Sequence, residues 1–242
     1  MLRWTTILLA ALALTGCASH IKVTRNPLAS WVPSPNRDER MPVIIVLHAT
    51  EQKSVQQSLL TLRTANDHGP VSAHYLIGRD GQRYQLVPDE LRAWHAGGGR
   101  WGTITNLNAA SLGIEIDNDG MAEFTEPQIA SLLVLLDDLC TRWAIPRTQV
   151  IAHADLAPTR KVDPGPRFPW QRLHAAGFGI WPAADAPPAP AGFDPWRALA
   201  QIGYALSDRP KAVRAFHLRF RGMNTEELDA EDLRILFALT EP

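Results

Sequence analysis

The feature that most limits the folds open to this chain is a continuous apolar, β-branched run that stops on a histidine. Val43-Ile44-Ile45-Val46-Leu47 leads directly into His48. A run with no polar alternation has no face for water, so it suits a strand covered on both sides of a sheet. A second such run, Gln149-Val150-Ile151-Ala152, ends in the same way on His153. Between the two, helix and strand signals alternate. Ser54 with Gln57 three residues on resembles a capping box and predicts a helix to about Thr64. His74-Tyr75-Leu76-Ile77 and Tyr84-Gln85-Leu86-Val87 flank Arg79-Asp80-Gly81-Gln82, a hairpin signal. Leu112-Gly113-Ile114-Glu115-Ile116 reads as a short strand with a carboxylate among apolar neighbours. Thr125, Pro127 and Gln128 open a helix whose apolar face is Ile129, Leu132, Leu133, Leu136, Leu139, Cys140 and Trp143, and Pro146 ends it. Strands alternating with helices predict an α/β sheet domain, and two strands that end on histidines would meet at one edge of that sheet.

The segments outside this domain have their own signatures. Arg3 precedes the apolar run Ile7 to Leu14, which is too short for a bilayer span of roughly 20 residues. A positive start, a short apolar core and small residues at its end read as a secretory signal. Leu14-Thr15-Gly16-Cys17 resembles the lipobox of bacterial lipoproteins, which implies that the signal segment 1–17 is cut immediately before the cysteine and that Cys17 carries a lipid. Ala18 is not the acidic residue that retains such proteins at the inner membrane, so the expectation is the outer membrane, facing the periplasm. Residues 18–40 are polar and Pro-rich and read as a tether, the sheet domain as 41–181, and the Pro/Ala stretch 182–192 as a stiff linker. Residues 193–242 carry three short amphipathic segments, Trp196 to Leu206, Lys211 to Arg221 and Ala230 to Leu239, expected as a small three-helix module. With two cysteines and one of them lipidated, no intrachain disulfide can form, and Cys140 is expected as a small buried hydrophobe. A net charge of -1 with dispersed Lys and Arg excludes the basic stripe of a nucleic-acid binder.

The chemistry concentrates in His153-Ala154-Asp155-Leu156-Ala157-Pro158-Thr159-Arg160-Lys161-Val162-Asp163-Pro164-Gly165-Pro166. No core requires a histidine, aspartates and a lysine in one proline-stiffened loop, and stiffness is what a fixed ligand geometry needs. This segment resembles the signature of the zinc-dependent N-acetylmuramoyl-L-alanine amidases of the second type, which share a fold with peptidoglycan recognition proteins. The resemblance extends in order over Val46-Leu47-His48-Ala49-Thr50, Val71 to Ile77, Trp94-His95-Ala96-Gly97 and Ser111 to Ile116, roughly residues 40 to 180. It implies a central mixed β-sheet flanked by helices. By position it also implies His48, His153 and Asp163 as zinc ligands, with a fourth position open for water. Glu115 matches the proton-transferring carboxylate and Lys161 the group that stabilises the oxyanion. His74, Tyr75, Trp94, His95, Asn108 and Arg160 are weaker candidates for substrate contacts, and Asp155 for bracing the ligand loop.

The resemblance implies hydrolysis of the amide bond between N-acetylmuramic acid and L-alanine in peptidoglycan or its fragments, by a monomer anchored through lipid. The order of lipobox, amidase domain, linker and helical module is that of the family's outer-membrane lipoproteins. Residues 212–217 and 228–239 resemble a three-helix peptidoglycan-binding domain; the other reading is a helical appendage packed on the catalytic domain. Two alternatives use the same fold or chemistry: a non-catalytic peptidoglycan recognition lipoprotein, and a zinc hydrolase of another cell-wall amide bond.

Overall fold

The computed structural model describes residues 25–39, 42–65 and 69–241. The signal segment, Cys17 and the first part of the tether lie outside the described residues. The strands are β1 (Ser30–Trp31), β2 (Arg37–Glu39), β3 (Ile44–Ala49), β4 (Tyr75–Ile77), β5 (Arg83–Gln85), β6 (Leu91–Ala93), β7 (Ser111–Ile116) and β8 (Val150–Ala152). The helices are α1 (Val55–Thr61), α2 (Leu107–Ala110), α3 (Glu126–Trp143), α4 (His153–Leu156), α5 (Trp170–Ala175), α6 (Pro195–Ile202), α7 (Arg209–Phe220) and α8 (Ala230–Thr240).

Six strands form one mixed sheet in the order β1-β5-β4-β7-β3-β8, and β2 pairs with β6 in a separate two-stranded ribbon. The unbroken apolar run makes β3 an inner strand, buried at every position and parallel to both β7 and β8. That shared direction positions the site. His48 lies in register with Glu115 of β7, Leu47 lies opposite Ala152 of β8, and His153 follows immediately. Three chemistry-bearing residues therefore gather at the carboxyl ends of adjacent parallel strands, where open α/β sheets hold their ligands. The Asp80-Gly81 turn delivers the expected hairpin, with β4 antiparallel to β5.

Helix α3 begins with a complete capping box between Thr125 and Gln128 and buries Ile129, Leu132, Leu135, Leu136, Leu139 and Cys140 in the main core. Cys140 is free and buried, and burial lifts its thiol to about 11. Val55 and Leu59 of α1 pack on a second apolar cluster formed by Leu62, Ala73, Leu76, Leu86, Val87 and Ala93.

Two expectations on organisation require correction. Residues 25–39 are not free tether: β1 pairs parallel with β5, β2 antiparallel with β6, and buried Asn26 donates its amide to Gln85 Oε1 (3.0 Å) and its side chain to Asp138 Oδ2 (2.8 Å). The three C-terminal helices form as expected, but they share the main core with the sheet domain. Tyr204 stacks edge-on against Trp101 with centroids 5.4 Å apart, and Gly102 N donates to Gly203 O at 2.8 Å. The linker 182–192 carries no helix or strand. Among the described residues, no helix is long and apolar enough to cross a membrane.

Candidate active site

His48 is the last but one residue of β3, His153 opens α4, and Asp163 closes the proline-stiffened loop that follows α4. Ala154 N donates to Asp163 O at 2.9 Å, a backbone clamp that fixes the two ends of this loop against each other. Three side-chain atoms converge as a result. His48 Nδ1 lies 2.9 Å from His153 Nδ1 and 3.2 Å from Asp163 Oδ2, and His153 Nδ1 lies 3.1 Å from the same oxygen. All three residues are buried, and among the described residues they form the one histidine, cysteine or acid cluster compact enough to hold a metal ion. Burial, then the adjacent His153, lowers His48 to about 4, so its ring is neutral near pH 7. Burial opposes ionisation of Asp163, but the two adjacent histidine rings, His153 foremost, outweigh it and hold the carboxyl well below its usual range. Two imidazoles and one ionised carboxylate form a donor set that fits zinc and leaves one tetrahedral position for another ligand.

Glu115 stands beside this cluster, with Oε1 4.0 Å from His48 Nδ1. Its other oxygen, Oε2, is buried and has no hydrogen-bond partner among the described residues. Leaving a buried carboxylate oxygen unpaired is costly, and folds keep such an atom where it has chemistry to do. Burial and the Asp163 charge raise Glu115 to about 8, with Lys161 pulling the other way. His48, Glu115, His153, Lys161 and Asp163 all line one solvent-open cleft. The five residues singled out for metal and catalysis are thus brought together.

The weaker substrate candidates divide. Trp94 and His95 line the cleft. His74 and Tyr75 do not: both are fully buried and committed elsewhere. His74 Nδ1 accepts from Gly113 N at 2.9 Å, its Nε2 lies 3.0 Å from Leu91 O, and the Tyr75 hydroxyl donates to Asp89 Oδ1 at 2.6 Å. Inner strands with two covered faces turn adjacent polar side chains into core hydrogen-bonding groups. Asn108 points at backbone, accepting from His95 N (3.1 Å) and Ala96 N (2.8 Å). Arg160 braces the loop facing it by donating to Ala96 O (2.7 Å) and Gly98 O (2.9 Å). Asp155 braces as expected, its Oδ2 taking the Ala152 N–H at 2.9 Å. The cleft also includes Glu51, Gln52, Thr61 and Ser72. Glu51 has a positive φ of 52°, rare for a non-glycine residue, which no sequence pattern announces.

Known proteins resemble this chain in sequence and fold. The family model for N-acetylmuramoyl-L-alanine amidase (Amidase_2) matches residues 38–166. The N-acetylmuramoyl-L-alanine amidase AmiD of Escherichia coli K12 is 34% identical along 100% of this chain and 98% of its own length. The structure of E. coli AmiD with anhydro-N-acetylmuramic acid-L-Ala-D-γ-Glu-L-Lys superposes with a TM-score of 0.73 over 84% of this chain and 89% of that one, at 34% identity. AmpDh3 of Pseudomonas aeruginosa, in complex with anhydromuramic pentapeptide, gives 0.75 over 95% and 98%, at 30% identity. The chain belongs to the N-acetylmuramoyl-L-alanine amidase family.

Proposed function

We propose that this protein is a zinc-dependent amidase that hydrolyses the bond between the lactyl group of N-acetylmuramic acid and L-alanine in peptidoglycan or its fragments. The observation that carries the reading is the meeting of His48, His153 and Asp163 with an unpaired buried Glu115 oxygen in one open cleft. The anhydromuramyl peptides bound by the two structural relatives support the substrate class. A non-catalytic recognition protein would need neither the complete donor set nor an orphaned carboxylate.

His48, His153 and Asp163 would hold the metal. Bound there, zinc supplies a Lewis acid and lowers the pKa of water to about 7. Glu115 accepts a proton from the attacking water and returns it to the departing L-alanine amine. Burial raises this carboxyl in the metal-free protein, and the positive charge of a bound metal would draw it back towards the ionised form that takes the proton. Lys161 supplies positive charge to the oxygen of the tetrahedral intermediate, in a cleft where its field already acts on Glu115 and His48. Trp94, on the wall of the same cleft, offers a flat apolar surface to the sugar or peptide.

The envelope placement is part of the same reading. Cys17, made N-terminal by cleavage immediately before it, would carry a lipid that anchors a monomer to the outer membrane, with the catalytic domain in the periplasm. The C-terminal helices would add a peptidoglycan contact without being a free-standing domain. The test is mass spectrometry of soluble muropeptides after incubation with the purified protein, with and without a zinc chelator. Free sugar and a peptide beginning with L-alanine, abolished by chelator and restored by zinc, are the expected products. Intact muropeptides from zinc-loaded protein would overturn the activity, and cleavage inside cross-linked peptides would move it to another bond.

A further inference from the structure

The two candidate ligand histidines present Nδ1 to the cluster, so each must keep that nitrogen unprotonated and carry its proton on Nε2. For His153 the partner is plain: Nε2 lies 3.1 Å from Ala96 O, which can only accept. For His48 the partner is another ring, with Nε2 2.9 Å from His95 Nδ1 and the two planes at 89°. Which of these nitrogens carries the proton is decided further out. Ser111 Oγ donates its single hydrogen to Leu107 O at 2.5 Å, a contact in which the carbonyl can only accept. The serine oxygen must then accept from its other neighbour, His95 Nε2, at 3.2 Å. A neutral His95 protonated on Nε2 has its lone pair on Nδ1. It therefore takes the Nε2–H of His48 and leaves the His48 Nδ1 lone pair facing Asp163.

The surrounding chain is built to hold this ring. A Cβ on Gly113 would come within 2.4 to 2.6 Å of His95 ring atoms, so only glycine leaves the space in β7. Asn108 fixes the backbone of both His95 and Ala96, which are the acceptors for the two histidines. We propose that His95 is a positioning residue for the metal centre, which sets the tautomer and orientation of His48 through the relay Leu107 O, Ser111, His95. This inference rests on the metal-site reading above. It also moves His95 and Asn108 from substrate contact to support of the ligands.

Zinc affinity of the purified full-length chain, by competition with a chromogenic chelator, gives a readout independent of turnover. His95→Phe keeps a ring but removes the acceptor, and is expected to weaken zinc binding 10- to 100-fold, the usual effect of removing an outer partner of a metal-bound histidine. His95→Asn places a carbonyl oxygen near the lost Nδ1 and is expected to recover most of that loss. In the zinc-loaded wild type, 15N spectra of the histidine rings are expected to show His48 protonated on Nε2, and the visible spectrum of cobalt-loaded protein should change in His95→Phe and revert in His95→Asn. Wild-type zinc affinity in a folded His95→Phe, equal losses in the Phe and Asn variants, or a His48 proton on Nδ1 would each overturn the proposal. Should His95→Phe fail to fold, Ser111→Ala replaces it: weakened zinc binding supports the relay and unchanged binding overturns it. Failure of the wild type itself to bind zinc would instead sink the metal reading, before any variant is compared.

Discussion

Glu115 combines two properties that stability alone would not select, an unpaired buried oxygen and a carboxyl raised to about 8 from an ordinary 4.5. The raised value means that the folded, metal-free protein gains most from Glu115 below pH 4.5, where folded and unfolded chains are both protonated. That contribution is lost as pH climbs from 4.5 through 8, because the unfolded chain ionises first. Glu115→Gln cannot ionise and escapes the penalty. Metal-free Glu115→Gln is therefore expected to match the wild type near pH 4.5 and to exceed it by on the order of a few kcal/mol at pH 8. Thermal melts at the two pH values check this, and a constant offset would refute it. The same substitution, or Glu115→Ala, should retain zinc and lose turnover. His48→Ala and Asp163→Ala should lose both, since each removes one of three donors. Metal content by elemental analysis beside a muropeptide assay separates the two outcomes. Turnover surviving in Glu115→Ala would remove the catalytic assignment while leaving the metal site in place.

At the scale of elements, legibility in the sequence followed burial. Strands β3 and β8 announce themselves because a strand covered on both faces needs an unbroken apolar run, and their shared direction carries His48 and His153 to one end of the sheet. Helix α3 is legible from its Thr125 cap and apolar face. Strands β1 and β2 are not, because two or three residues give no period, and their pairing depends on partners some fifty residues on. His74 and Tyr75 misled for the opposite reason: a buried strand does not reveal which polar side chain faces a cleft and which a core partner. Helix α4 could not have been read locally at all. Four residues make no stable helix by themselves, and this one is held from outside. Asp155, fully buried, accepts from Ala152 N, from Tyr204 Oη at 2.8 Å and from Arg219 Nη1 at 2.6 Å. Arg219→Met would leave that carboxylate buried without its cation and should cost about 3–5 kcal/mol. Adding Asp155→Asn should return part of the loss, because the stranded charge goes with it. Denaturant unfolding of the single and double variants measures the coupling, and strict additivity would contradict the brace.

The whole molecule inherits this dependence. Arg219 and Tyr204 belong to the C-terminal segment, yet they secure the helix that begins with His153. Arg214 of the same segment donates to Pro158 O at 2.6 Å, in the loop that carries Lys161 and Asp163. Arg219 also lies over the Trp170 ring, 4.3 Å from its centroid, and donates to Val150 O at 3.2 Å, so one side chain ties α7 to α5 and β8. Apolar packing agrees, since Leu199, Phe216 and Leu236 fall in the same core cluster as Ile45, Leu136 and Ile151. A segment joined by so much buried surface unfolds with its host, because losing it would strand Asp155 and expose Trp101 together. The metal-free chain should therefore melt in a single calorimetric transition, with calorimetric and van't Hoff enthalpies equal. A chain ending at residue 192 should melt well below the full-length protein and bind zinc more weakly, because the His153–Asp163 loop loses its brace. Two resolved transitions in the full chain, or unaltered zinc affinity in a folded truncated one, would show that the helices are an independent module and that the amidase core positions its metal loop unaided.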